Sequence, residues 1–222
     1  CILMLGRIIT TPKPASAAEE HHLSLGKVAR SLVTQRTLLG LTIALSIFWL
    51  SNGGRHQFET LYMHQLGESE QLIGWAYTYP ALMELPIMLW ADKLVRKHGA
   101  GKILSLSILL EGISLIAIVV YPSIASIMFM RAASGFYYSF YAIASVGYAV
   151  ENAPEGQGAT ILSLYYVTLN GILALFNAPL SGAVFDWVGA YPLYIIAAAG
   201  TLLAWLALVI SQRKPAIQLQ AS

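Results

Sequence analysis

The stretch from Gln71 to Lys102, QLIGWAYTYPALMELPIMLWADKLVRKHGAGK, constrains this chain more than any other. Its first two-thirds are apolar enough to cross a bilayer as a helix, yet they hold one carboxylate, Glu84. The last third, Asp92 to Lys102, is short, polar and basic, and another apolar run follows at once. The pattern predicts a helix leaving the membrane, a tight basic loop and a helix returning. The side that this loop faces fixes the topology of everything else.

Soluble domains carry about 25% charged residues. This chain of 222 residues is 11% charged and 57% hydrophobic, a balance that suits an all-α membrane protein with several spans. Six apolar segments satisfy the required length, at about 37–63, 71–91, 102–121, 123–150, 158–185 and 191–210. Residues 1–9 read as the end of a preceding transmembrane helix, and with Cys1 as first residue the chain reads as a fragment of a larger protein. Residues 10–36 read as a polar linker, with Pro12, Pro14, Glu19, Glu20, His21 and His22. Within it, Leu23 to Gln35 suits either a short amphipathic surface helix or a partly ordered connection. The six-helix bundle takes residues 37–211, and 212–222 form a polar tail.

Lysine and arginine set the orientation. Eleven of the 13 fall before the first span, in the turn after the second, or in the tail. None falls in the turns at Met63–Glu70, Tyr121–Ser123 or Asp186–Ala190. Basic loops stay cytoplasmic, so the linker and the tail are expected inside and those three turns outside.

Two motifs carry a resemblance. The turn after the second span, with Asp92, Arg96 and Gly99 and with Lys102 opening the next helix, resembles the Asp-x-x-x-Arg-x-x-Gly loop of the major facilitator superfamily. Met88 stands where the full motif has glycine, as in the degenerate copy of the second half. Pro179-x-x-Gly182-x-x-x-Asp186-x-x-Gly189 resembles a second pattern of that superfamily, expected here across the last two helices. Glu84-Leu85-Pro86 resembles the branch of phenylpropionate- and lactose-permease-like proton symporters. The resemblance implies one half, the C-terminal one, of a twelve-helix transporter that works by alternating access. It implies the first and fourth spans lining a cavity, the second and fifth flanking it, and the third and sixth outside. It also implies an N-terminal half as partner, protons and a small organic solute as cargo, and a plasma or bacterial inner membrane as location. Asp92, Arg96 and Gly99 would form a cytoplasmic gating motif. A non-transporting receptor or assembly factor of the same fold, or a half-transporter that dimerises, are the alternatives.

Ionisable groups inside a span cost a few kcal/mol on insertion scales, so each of the few here needs a reason. Arg55 and Glu59 are four apart and can pair on one helical face, with His56 beside them. They suit either the outer interface or the cavity, and the break read at Ser51-Asn52-Gly53-Gly54 favours the cavity. Arg131 suits snorkelling outward, binding an anionic substrate, or pairing with Glu59. The aromatics Tyr137, Tyr138 and Tyr141 suit ordinary packing or a ring-bearing or sugar-like solute. Glu111, in a span expected at the periphery, reads as structural. Asn170 and Asn177, seven apart, suit interhelical hydrogen bonds or substrate contact. Glu84, bracketed by Pro80 and Pro86 in a helix expected to kink, loses hydration; it suits either a proton-coupling group, leading His56 and Glu59 in that role, or a protonated carboxyl that hydrogen-bonds a neighbouring helix. The substrate-cavity candidates are Arg55, Arg131, Tyr138 and Asn170. There is no metal-ligand spacing, phosphate-cradling loop or nucleophile elbow. The expectation is therefore no enzyme, no cofactor, no metal site and no nucleic-acid partner.

Overall fold

The computed structural model describes Leu32 and residues 34–212. The expectations for residues 1–9, for most of the linker with its histidine pair, and for the tail lie outside the described residues. Among the described residues the fold is wholly helical: α1 (Arg36–Gln65), α2 (Glu70–His98), α3 (Ala100–Val120), α4 (Ile124–Glu151), α5 (Gly158–Ser163), a π-helical turn (Leu164–Leu169), α6 (Asn170–Val188) and α7 (Tyr191–Gln212). α5, the π turn and α6 make one continuous rod. Four rods are long and apolar enough to cross a membrane: α1, α3, the Gly158–Val188 rod and α7. α2 and α4 have the length but fall short on apolar composition, because they carry Glu84, Arg131 and a set of tyrosines and serines that face inward.

Helix α2 is longer than expected. The segment read as a loop, Asp92 to His98, is its last two turns. Arg96 pairs with Asp92 one turn back, and Arg96, Lys97 and His98 sit where the helix dipole favours cations. The helix stops at Gly99, whose φ of 88° is open to glycine and strained for other residues. At its start Ser69 Oγ accepts the Leu72 N–H at 3.3 Å, which is N-capping. α4 starts in the same way, with Ser123 Oγ accepting from the Ser126 N–H. Both Pro80 and Pro86 lie within α2, which runs through them as continuous helix.

The break expected at Ser51–Gly54 is absent; α1 is helical throughout. Its glycines serve close packing instead. A Cβ on Gly54 would come within 2.7 Å of the Ser181 Cβ and 3.0 Å of Leu193. Ser51 likewise fills the space beside Gly200, and Ser211 the space beside Gly40. Small residues let membrane helices approach closely, and α1 packs along α7 on this seam.

Two apolar cores fill the ends of the bundle. Leu41, Leu45, Leu104, Ile108, Ala144 and Leu208 belong to one; Met63, Ile73, Leu115, Ile127, Tyr194 and Ala197 belong to the other. Between them lies a polar layer with Asn52, Arg55, Glu59, Glu111 and Thr201, each at most 5% exposed.

Candidate functional site

The polar layer is organised by ion pairs. Arg55 of α1 is bound directly to Glu111 of α3, and Arg131 of α4 directly to Glu59 of α1. Arg55 also faces Glu59, its Nη1 at 3.7 Å from Oε2. Two arginines and two carboxylates thus form one chain linking three helices. Asn52 extends it: its Oδ1 accepts from Arg55 Nε at 2.9 Å, and its Nδ2 donates to Thr201 Oγ1 of α7 at 2.8 Å. Removing one member of a buried pair leaves a charge uncompensated, at a cost of about 3–5 kcal/mol, so these helices are bound in a fixed arrangement. The Arg131 guanidinium in turn lies over the Tyr77 ring of α2, 4.0 Å from its centroid, a cation–π contact.

A cavity of about 670 Å³ opens beside this layer, a volume within the range of small-molecule sites. α1 contributes Trp49, Asn52, Arg55 and His56; α2 contributes Tyr77, Pro80, Ala81 and Glu84; α4 contributes Arg131, Ser134, Tyr137, Tyr138 and Tyr141. Glu111 of α3 reaches it, as do Tyr166 and Asn170 of the interrupted rod. One wall is aromatic and hydrogen-bonded. Trp49 Nε1 donates to the Tyr141 hydroxyl at 2.9 Å, the Tyr166 hydroxyl meets Ser145 Oγ at 2.5 Å, and the Trp49 and Tyr166 rings lie 5.6 Å apart. The π turn places two successive tyrosines inward: Tyr165 donates to the Leu38 carbonyl at 3.1 Å, while Tyr166 turns to α4 and the cavity.

Each residue singled out in the sequence has a definite place. Arg55, His56, Glu84, Arg131, Tyr138 and Asn170 line the cavity. Glu59 lies behind it, fully buried, so the reading of Arg55 and Glu59 as groups at an outer water interface does not hold. Glu111 is not peripheral but turned inward onto Arg55. α2 also lines the cavity, with Tyr77, Pro80, Ala81 and Glu84, rather than only flanking it. Among the described residues the Glu84 side chain makes no ion pair; its main-chain carbonyl accepts from Ser139 Oγ at 3.4 Å. Asn177 faces away from the cavity, donating to the carbonyl of Leu50 at 2.5 Å. Asp92 and Arg96 pair at the far end of α2, largely exposed, next to Gly99. The Pro179–Gly189 motif lies within α6 and its C-terminal cap, not across the last two helices, with Gly189 at φ 85°.

The sequence reading missed Asn52, Trp49, Tyr77 and Tyr166. Asn52 had a signal, an amide within an apolar run, which was absorbed into the supposed break. The aromatic three carry no signal that separates them from ordinary core.

A bundle of apolar helices around a polar, ion-paired cavity is the build of an integral membrane protein. The chain belongs to the MFS_1 like family, whose model matches residues 7–196. It is 24% identical over 177 residues to the uncharacterized transporter YwbF of Bacillus subtilis (strain 168), covering 78% of this chain and 44% of that protein. It is 26% identical over 167 residues to the maltose permease of Geobacillus stearothermophilus, covering 74% of this chain and 42% of that protein. The chain thus spans less than half the length of these relatives.

Proposed function

We propose that this chain is the C-terminal six-helix half of a secondary active transporter that moves a small organic solute by alternating access, coupled to protons in symport. The observation that carries this reading is the cavity itself: a polar, charge-bearing space inside a bundle of otherwise apolar helices. Intramembrane ionisable groups mark substrate and ion pathways, and five of them, Arg55, His56, Glu84, Glu111 and Arg131, line this cavity. The aromatic wall of Trp49, Tyr138 and Tyr166 suits the flat face of a ring, and the maltose permease relative favours a sugar-like solute. Arg55, Arg131, Tyr138 and Asn170 are the proposed solute contacts, and Glu84, His56 and Glu59 the proposed proton carriers.

The partner half is proposed to cover what this chain leaves bare. Trp75, Leu82, Leu85, Leu89 and Trp90 of α2 are exposed, as are Ile172, Leu175, Phe176 and Leu180 of α6. α2 and the interrupted rod are thus the least covered faces of the bundle, and each borders the cavity. All six spans are proposed to cross the bilayer, with the basic ends of the chain cytoplasmic. Asp92, Arg96 and Gly99 are proposed to act as a gate at that end. The test is uptake of a panel of radiolabelled neutral sugars and other small organic solutes by the complete protein in lipid vesicles, with and without an inward proton gradient. Gradient-dependent accumulation of one solute is expected. No accumulation of any of them would count against the reading.

A further inference from the structure

The four charges of the ion-pair chain are not equivalent. Arg55, Glu59 and Glu111 are buried, each at most 5% exposed, with Arg55 and Glu111 paired to each other where they reach the cavity wall. Arg131 is the outermost, with its side chain 13% exposed, and it borders the cavity. Glu59 is shared between two arginines: Oε1 is bound to Arg131, while Oε2 accepts no hydrogen bond and faces Arg55 at 3.7 Å. What keeps Glu59 on Arg131 is that Arg55 already has a carboxylate, Glu111. Without that carboxylate, the buried Arg55 would be an uncompensated charge and the nearest acid is Glu59. Arg131 would then be released to the cavity as a free cation.

We propose that Glu111, acting through Arg55, sets the charge preference of this cavity: it keeps both arginines matched, so that the cavity admits solutes with no net negative charge. The two arginines and two carboxylates of the chain cancel. The remaining acid lining the cavity is Glu84, and His56 is the other titratable group facing it with the tyrosines. An anion therefore meets no free cation on this wall, whereas a neutral or cationic solute meets a neutral cluster and one carboxylate. Glu111 is on this reading a positioning residue that does not touch the solute. The inference rests on the transporter reading for its biological meaning, but its test does not require transport.

The test reads the field in the cavity with charged thiol reagents. Ala81→Cys places a thiol on the exposed cavity face of α2, in the complete protein in lipid vesicles, with Cys1 and every other cysteine of the complete protein replaced by serine. The rate with the anionic sulfonatoethyl methanethiosulfonate is divided by that with the cationic trimethylammonioethyl reagent, after correction for their rates with a free thiol. The same ratio is then measured with Glu111→Gln, Arg55→Leu, Glu111→Asp and the Arg55→Leu/Glu111→Gln pair. In the otherwise native cavity the anionic reagent is expected to be the slower. Glu111→Gln is expected to raise the ratio about tenfold and Arg55→Leu to lower it by a similar factor, as one net charge near the thiol requires. Glu111→Asp and the double variant are expected to stay near the starting value. A native cavity that favours the anionic reagent overturns the proposal, and this measurement needs no charge variant to fold. So does a ratio that neither Glu111→Gln nor Arg55→Leu moves. Failure of all solute uptake with the expected ratios would instead remove the transport reading and leave the electrostatic role standing.

Discussion

Asn177 donates its side-chain amide to the main-chain carbonyl of Leu50 across 2.5 Å, and that amide occupies the place where a Cβ on Gly53 would project. The helix-to-helix bond and the missing side chain are thus one device: α6 can reach the α1 backbone because α1 has a glycine there.

Gly53→Ala is therefore expected to separate the two helices or break the Asn177 bond, at about 1–3 kcal/mol. Gly74→Ala is the matched control, since a Cβ there meets nothing within 4 Å and alanine suits a helix better than glycine. Thermal melting of the two variants in the same detergent checks this. Equal melting temperatures would remove Gly53 from the packing seam.

Glu84→Gln keeps size and hydrogen bonding but cannot ionise. Glu84 has no ion pair among the described residues, so the exchange breaks no salt bridge within them. It is expected to abolish gradient-driven accumulation of solute while sparing binding and counterflow exchange. Uphill accumulation at the native rate would leave Glu84 without a coupling role and move the search to His56 and Glu59.

Asp92→Asn removes one partner of an ion pair whose side chains are 44% and 72% exposed. Such a pair contributes about 0–1 kcal/mol, so stability should barely change. If the pair works as a gate, the rate of conformational cycling falls while equilibrium solute binding is kept. Loss of binding with normal cycling contradicts that assignment.

Topology follows from the basic residues. Reporters fused after Ser222 and inserted at Val95 are expected to be cytoplasmic, and one at Gly67 external. Gly67 sits in the turn between α1 and α2, at the end of the bundle opposite Gly99. A cytoplasmic signal from Gly67 would invert the arrangement.

The all-helical fold was legible in the sequence because apolar length is a local property that needs no knowledge of neighbours, and four of the rods have the length and composition to cross a membrane. The pairing of Arg55 with Glu59 was legible for the same reason, being set by helical spacing. The partner of Glu111 was not legible, because it depends on which way α3 is rotated, and α3 is apolar on nearly every side. Its pairing with Arg55 joins residues 56 positions apart, which no local pattern records. Asp92 to His98 were misread because polar residues at a membrane boundary serve equally as loop or as the last turns of a helix; the Asp92–Arg96 spacing and Gly99 decide for helix. The π turn left no readable mark, since Leu164 to Leu169 have an ordinary helical composition.

Gly99 is the whole connection between α2 and α3. One residue spans at most about 3.6 Å, so the basic end of α2 cannot travel far without dragging α3 along. The joints at 121–123 and 189–190 are nearly as short, and the longest one among the described helices is 152–157. The slack in the connections is greatest at 152–157, while α7 packs back along α1 and is tied to it through Asn52 and Thr201. A displacement of the basic end of α2 is therefore passed directly to α3, the helix that carries Glu111.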